Sequence, residues 1–297
     1  MNSSTTGWAW PWWSVIVAIN VINLIVCVVV FQRSKMPKDG MNEKYRRRMR
    51  MMGLIFALVS AYRSVFPSRY FSQMAWFDSV LNSSLLIRSF AIFAELSFAG
   101  LFGLAMLQLN RDLPDENLDK LNGFQKFMTT KTPYILIGSL FVAQFFATSG
   151  LIMKSNVLFA IEESLWSLGF VSILPLAIIQ LRRVYAVKDS AQNEKIKMFR
   201  VSSVIVAAWA VIYCCYGLLY HLPFENWAYA VEQMQTGVPA MKTGLGAIKD
   251  AFLIVNESKA YGDWGFGFLL WHSAYFSVCT WIAIALMRAP RLKNDKV

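Results

Sequence analysis

Residues 84–108 read SLLIRSFAIFAELSFAGLFGLAMLQ, an apolar run long enough to cross the roughly 30 Å of bilayer hydrocarbon as a helix. Inside hydrocarbon the backbone must satisfy its own hydrogen bonds, so such a run folds as a helix within a bundle. Arg88 and Glu95 interrupt it, seven residues apart. At 3.6 residues per turn they share a face, two turns from one another. A charge at that depth costs at least roughly 2.5 kcal/mol, so such residues turn inward, pair, and mark sites. The spacing therefore predicts an Arg88–Glu95 pair facing the bundle interior.

The rest of the chain repeats the theme. Of 297 residues, 56% are hydrophobic and 16% charged, against about 25% charged in soluble domains. The expected fold is an all-α, polytopic integral membrane bundle of seven helices, forming a single transmembrane domain over residues 1–297. Its spans run over about 12–31, 51–66, 84–108, 133–153, 158–180, 201–220 and 266–287. The net charge of +11 lies largely in the segments 32–50 and 182–200 and in the tail RAPRLKNDKV. Basic segments mark the cytoplasmic side, so the N-terminus is expected outside and the C-terminus in the cytoplasm. Orientation accounts for this charge, and a nucleic-acid partner is not expected. The implied location is a plasma or organelle membrane, with the bilayer as the first partner.

Trp8, Trp10, Trp12 and Trp13 read as an interfacial aromatic belt. Pro67 stops the second span, and Pro175 predicts a kink in the fifth. Sequons stand at Asn2, Asn82 and Asn256, all on the expected outer side. Residues 221–265 form the one long outer segment, too long for a bare loop. Within it Met241, Leu245, Ile248, Phe252 and Val255 recur at helical spacing. This predicts an amphipathic helix over 240–257, lying on the membrane surface or capping the bundle.

Three spans expected to run in the same direction carry a titratable residue followed three positions later by an aromatic one. The pairs are Glu95 and Phe98, Glu163 and Trp166, and His272 and Tyr275. They place Glu95, Glu163 and His272 at one depth, as candidate proton-handling or catalytic groups. Arg63, Arg88, Glu162 and His221 lie nearer the outer mouth, as candidate ligand-binding groups, arginine being suited to a carboxylate or phosphate. The chain holds two histidines and none of the H-x-x-x-H, H-E-x-x-H or E-x-x-H spacings, so neither a metal site nor a cofactor is expected. The four cysteines fall in apolar runs and read as small hydrophobes.

Seven spans invite comparison with known seven-helix families. The lysine that carries retinal in microbial rhodopsins has no counterpart inside any span. The third span ends LNRDLP and the seventh lacks an N-P-x-x-Y, unlike G-protein-coupled receptors. The three histidines of seven-span zinc hydrolases are missing. The segments WHSAYFSVCTWIAIALMRAP, RSFAIFAELSF and EESLWSL resemble multi-span proteins of single-celled algae and other protists, a resemblance that implies no activity. The leading reading is an outward-side intramembrane pocket that binds or processes a small amphiphile or lipid. A proton- or ion-coupled transporter or channel using the same residues as a relay, a receptor, and a structural subunit of a membrane complex or homo-oligomer are the alternatives. Whether the protein is an enzyme stays open.

Overall fold

A computed structural model describes residues 9–34, 43–70, 72–112, 122–186 and 193–288. The expectations on Trp8, Asn2 and the basic tail beyond Arg288 fall outside these residues. The chain is helical almost throughout: α1 (Ala9–Arg33), α2 (Glu43–Val65), α3 (Ser84–Asp112), α4 (Gly123–Met153), α5 (Asn156–Ala186) and α6 (Asn193–Ile212). The last of these continues as a π-helical segment, Tyr213–Trp227, and then α7 (Ala228–Thr236). Two short helices follow, α8 (Gly244–Leu253) and α9 (Tyr261–Trp264). The final long helix is α10 (Phe266–Ala274), a π-helical turn over Tyr275–Cys279, and α11 (Thr280–Met287).

Among the described residues six helical stretches are long and apolar enough to cross a bilayer: Trp10–Arg33, Ser84–Asp112, Gly123–Met153, Asn156–Ala186, Lys197–Thr236 and Phe266–Met287. This is an all-α membrane protein. Helix α2 is not among the six, because RRRMR occupies its first half. It is nonetheless packed against α1, α3 and α11, burying Gly53, Phe56, Ala57 and Ser60. A Cβ on Gly53 would sit 3.0 Å from Met287 Cβ and 3.3 Å from the Ala283 carbonyl oxygen. The missing side chain lets α2 and α11 approach closely.

Several helices outlast their apolar stretches. The segment 43–50, expected as loop, is the first two turns of α2. Arg, Lys and Met favour helix, and Arg50 donates from Nε and Nη2 to the Phe31 carbonyl at 3.0 and 2.6 Å, capping α1. Helix α4 begins ten residues before Pro133, at a capping box formed by Asn122 and Gln125. Helix α5 continues past Pro175 to Ala186.

The segment expected to lie outside the bundle differs most. Residues 221–236 belong to the sixth long helix, and the amphipathic helix spans Gly244–Leu253. Its inward face is Ala247, Asp250 and Ala251. The apolar row points away, with Leu245 79% exposed. Beside it, β1 (Ser68–Arg69) pairs antiparallel with β2 (Met74–Ala75), which pairs in parallel with β3 (Asn256–Glu257). Asp250 joins this cap to the bundle. It bonds Lys242 Nζ at 2.5 Å and Lys154 Nζ at 3.3 Å, and Gln73 Nε2 donates to it at 3.0 Å.

The tryptophans of α1 dock on other aromatic rings. Trp13 stacks on the fully buried Trp76 at 5.6 Å, and Trp10 meets the same ring edge-on at 5.4 Å. Trp12 packs on Trp264 and donates from Nε1 to Ser273 Oγ at 2.8 Å. The sequon asparagine Asn82 is buried, its amide donating to the Pro67 carbonyl at 2.7 Å. That side chain is occupied in tying the turn after α2.

Candidate functional site

Arg88 lies one turn into α3, Glu162 two turns into α5, and His272 two turns into the last long helix. Arg63 lies near the end of α2, Tyr213 at the middle of the sixth and His221 two turns further on. Helices that start and helices that finish thus deliver these side chains to one end of the bundle. There they line a cavity of about 530 Å³. All seven residues singled out from the sequence contribute to it: Arg63, Arg88, Glu95, Glu162, Glu163, His221 and His272.

Arg88 is the centre of a buried network. Its Nη1 and Nη2 donate to the two carboxylate oxygens of Glu95 at 3.0 and 3.1 Å. Nη2 also donates to Gln144 Oε1 at 2.5 Å and lies 3.6 Å from Glu162 Oε1. The two-turn separation is bridged because both side chains extend along the helix. The guanidinium is 3% exposed. A planar fork matched to a carboxylate is the geometry in which a buried pair recovers its desolvation cost.

Arg63 is held differently. Its Nη2 donates to the Tyr70 hydroxyl at 3.0 Å, and its guanidinium carbon lies 5.0 Å from the Phe276 ring and 5.7 Å from Tyr275. His272 is buried among aromatic rings, 4.3 Å from Phe276 and 4.9 Å from Phe268, with Nε2 3.4 Å from the Arg63 carbonyl oxygen. Glu163 does not join the Arg88 network; it accepts a hydrogen bond from the Tyr213 hydroxyl. His221 pairs through Nδ1 with Glu225 and packs against both Tyr216 and Trp271, whose rings also touch each other. The candidate proton-handling groups therefore stand in three separate settings: ion-paired Glu95, tyrosine-bonded Glu163 and ring-enclosed His272.

A second cavity of about 340 Å³ adjoins the first. It lies between the sixth and last long helices and is lined chiefly by apolar side chains, among them Ile205, Ala208, Ile212, Val278 and Ile282. Glu163, Trp209, Tyr213, His221, Trp271 and Tyr275 line both cavities. Both π-helical segments lie along this shared wall, and π-turns recur at functional sites. Gly217 makes one of them fit: a Cβ there would come within 2.7 Å of the Tyr213 ring.

Tyr70, Tyr213, Trp209, Trp271 and Glu225 were not singled out from the sequence. Tyrosine and tryptophan in an apolar helix are ordinary, so spacing gave no signal for them. Glu225 was assigned to an outer segment that is in fact helix. Gln144 stands as a polar residue within the apolar run 133–153, where nothing in the sequence names its partner. Among the described residues no three His, Cys, Asp or Glu side chains converge as metal ligands would. Set against known proteins, the chain matches no family model and no curated sequence.

Proposed function

We propose that the protein is a seven-span membrane protein whose outward-side pocket binds or processes a small amphiphile or lipid. One observation carries this reading: a chamber lined by charged and hydrogen-bonding groups shares a wall with an apolar crevice between two helices. An amphiphile has the same two-part character. Ligand sites are mostly apolar cavities of about 300–1,000 Å³ with a few converging polar groups, and both volumes fall in that range. Ile212 and Val278, on the crevice lips, are exposed, so the crevice opens where lipid tails would lie. In this reading α2 is the seventh span. The apolar part of α2 is short, and the arginines of its first turns extend their stems to reach the headgroups. The basic segments face the cytoplasm and the cap faces outward.

Photo-crosslinking tests the reading. In lipid nanodiscs, a fatty acid and a fatty alcohol, each bearing a diazirine in its tail, are irradiated with the protein and the adducts mapped. Labelling should concentrate on 205–217 and 274–282, and Ala208→Trp, which fills the crevice, should remove it. Labelling spread evenly over all lipid-facing helices and insensitive to Ala208→Trp defeats the reading.

A further inference from the structure

We infer that the pocket takes an amphiphile with an anionic head, a carboxylate or a phosphate, and that Arg63 is the group that binds it. This rests on the amphiphile reading above and specifies its ligand. The chamber contains three arginines, and two are already engaged. Arg88 is held by two carboxylates and an amide. Arg69 donates to the Asp263 and Trp264 carbonyls of the cap at 2.6 and 3.3 Å.

Arg63 differs from both. None of the ion pairs among the described residues includes it. Its one hydrogen bond there is the neutral Tyr70 hydroxyl, and its Nε is buried with no partner. A guanidinium has five N–H donors in a fixed fork, so most of this one's capacity is unspent. Two aromatic faces support it from the sides. These contacts steady the group without consuming its N–H donors, so its donor edge is left for a ligand. A carboxylate or phosphate oxygen pair fits such an edge in a bidentate manner, and arginine is suited to it where lysine is not.

The acidic residues nearby do not cancel this. Glu95 and Glu162 are turned to Arg88, and Glu163 is covered by the Tyr213 hydroxyl. The tail has a route from this point. Tyr275, whose ring lies beneath the Arg63 guanidinium, also lines the apolar crevice. A head on Arg63 therefore leads its chain past Tyr275 into the crevice. The Tyr70 hydroxyl is a positioning group: it aims the guanidinium without touching the tail.

The test measures competition against the crosslinking probe in nanodiscs, using oleate, oleyl phosphate, oleyl alcohol and oleyl trimethylammonium. Oleate or oleyl phosphate should compete at roughly ten- to a hundredfold lower concentration than the alcohol, the span expected for a charge-assisted hydrogen bond. The stronger of the two identifies the head. Arg63→Gln should bring that anion to the level of the alcohol while leaving alcohol competition unchanged. Should Arg63→Gln not fold, Tyr70→Phe serves instead, and should weaken the anion alone by a few-fold. Equal competition by acid, phosphate and alcohol, or preference for the trimethylammonium, overturns the inference and leaves the amphiphile pocket standing. Absence of any crevice labelling overturns both.

Discussion

At the scale of single residues, Arg88 has four oxygen acceptors from three helices around one buried guanidinium: both Glu95 oxygens, Gln144 Oε1 and, more distantly, Glu162. The cost of breaking such a group depends on which member is removed. Glu95→Gln leaves Glu162 beside the arginine and keeps a hydrogen-bonding side chain in place, so unfolding stability should fall by about 1–3 kcal/mol. Arg88→Met strands two carboxylates with no cation between them and should cost about 3–5 kcal/mol. Denaturation in mixed micelles, followed by circular dichroism, ranks the two variants. A smaller loss for Arg88→Met than for Glu95→Gln means that Arg88 does not hold the group together. The Arg88–Glu95 pair was readable in the sequence because charge inside an apolar run is expensive. Gln144 was visible only as an isolated polar residue. The Tyr213–Glu163 bond was invisible, since it depends on how α5 faces the π-helical part of the sixth helix.

At the scale of elements, the sequence located the membrane helices but ended them too early. Apolar periodicity reports where hydrocarbon stops, whereas a helix stops where its hydrogen bonding and capping stop. Hence α2 extends back over Arg46, Arg47 and Arg48, and the sixth helix continues through Pro223 to Thr236. The amphipathic period of residues 240–257 pointed to a helix there, but its inward face is the small side carrying Asp250. That carboxylate decides how the cap responds to acid. Partial burial pushes its pKa up, but the ammonium groups of Lys242 and Lys154 outweigh this and hold it below the usual carboxylate value. A group whose folded pKa lies below its unfolded one stabilises the fold fully above the unfolded value, about 3.9. The contribution is lost as pH falls through the folded value. A spin label on Lys249→Cys should therefore stay immobile from neutral pH to about 5 and gain mobility below about pH 4. With Asp250→Asn added, the label should be mobile throughout. A label equally immobile at pH 3 and in the Asn variant rules out Asp250 as the fastening.

At the scale of the whole molecule, the ionisable side chains of the chamber gather at one end of the bundle, and the basic start of α2 lies at the other. The two expected faces of the protein can thus be probed directly. A cysteine replacing Arg47 and one replacing Lys249 should react with a membrane-impermeant maleimide from opposite sides of sealed vesicles. Reaction of both from one side ends the seven-span arrangement with α2 as a span. The fold class was readable because hydrocarbon leaves few choices of backbone. The strand pairing of the cap was not readable: β2 meets β3 across about 180 residues of chain, and two-residue strands carry no periodicity to detect.

The π-helical turns beside the cavities have a consequence for register. A π-turn closes its hydrogen bond one residue later than an α-turn, so the single turn at Tyr275–Cys279 stores an extra residue within the winding. Each residue of an α-helix advances the spiral by about 100°. Were the turn at Tyr275–Cys279 to close in ordinary α fashion, α10 would rotate against α11 by about that angle. Of His272 and Trp271, one would take the direction the other now has, while α11 kept its seat against α2. The last long helix therefore carries an angular offset as well as a position, and a one-residue deletion within Tyr275–Cys279 would re-aim the cavity wall without unseating the bundle.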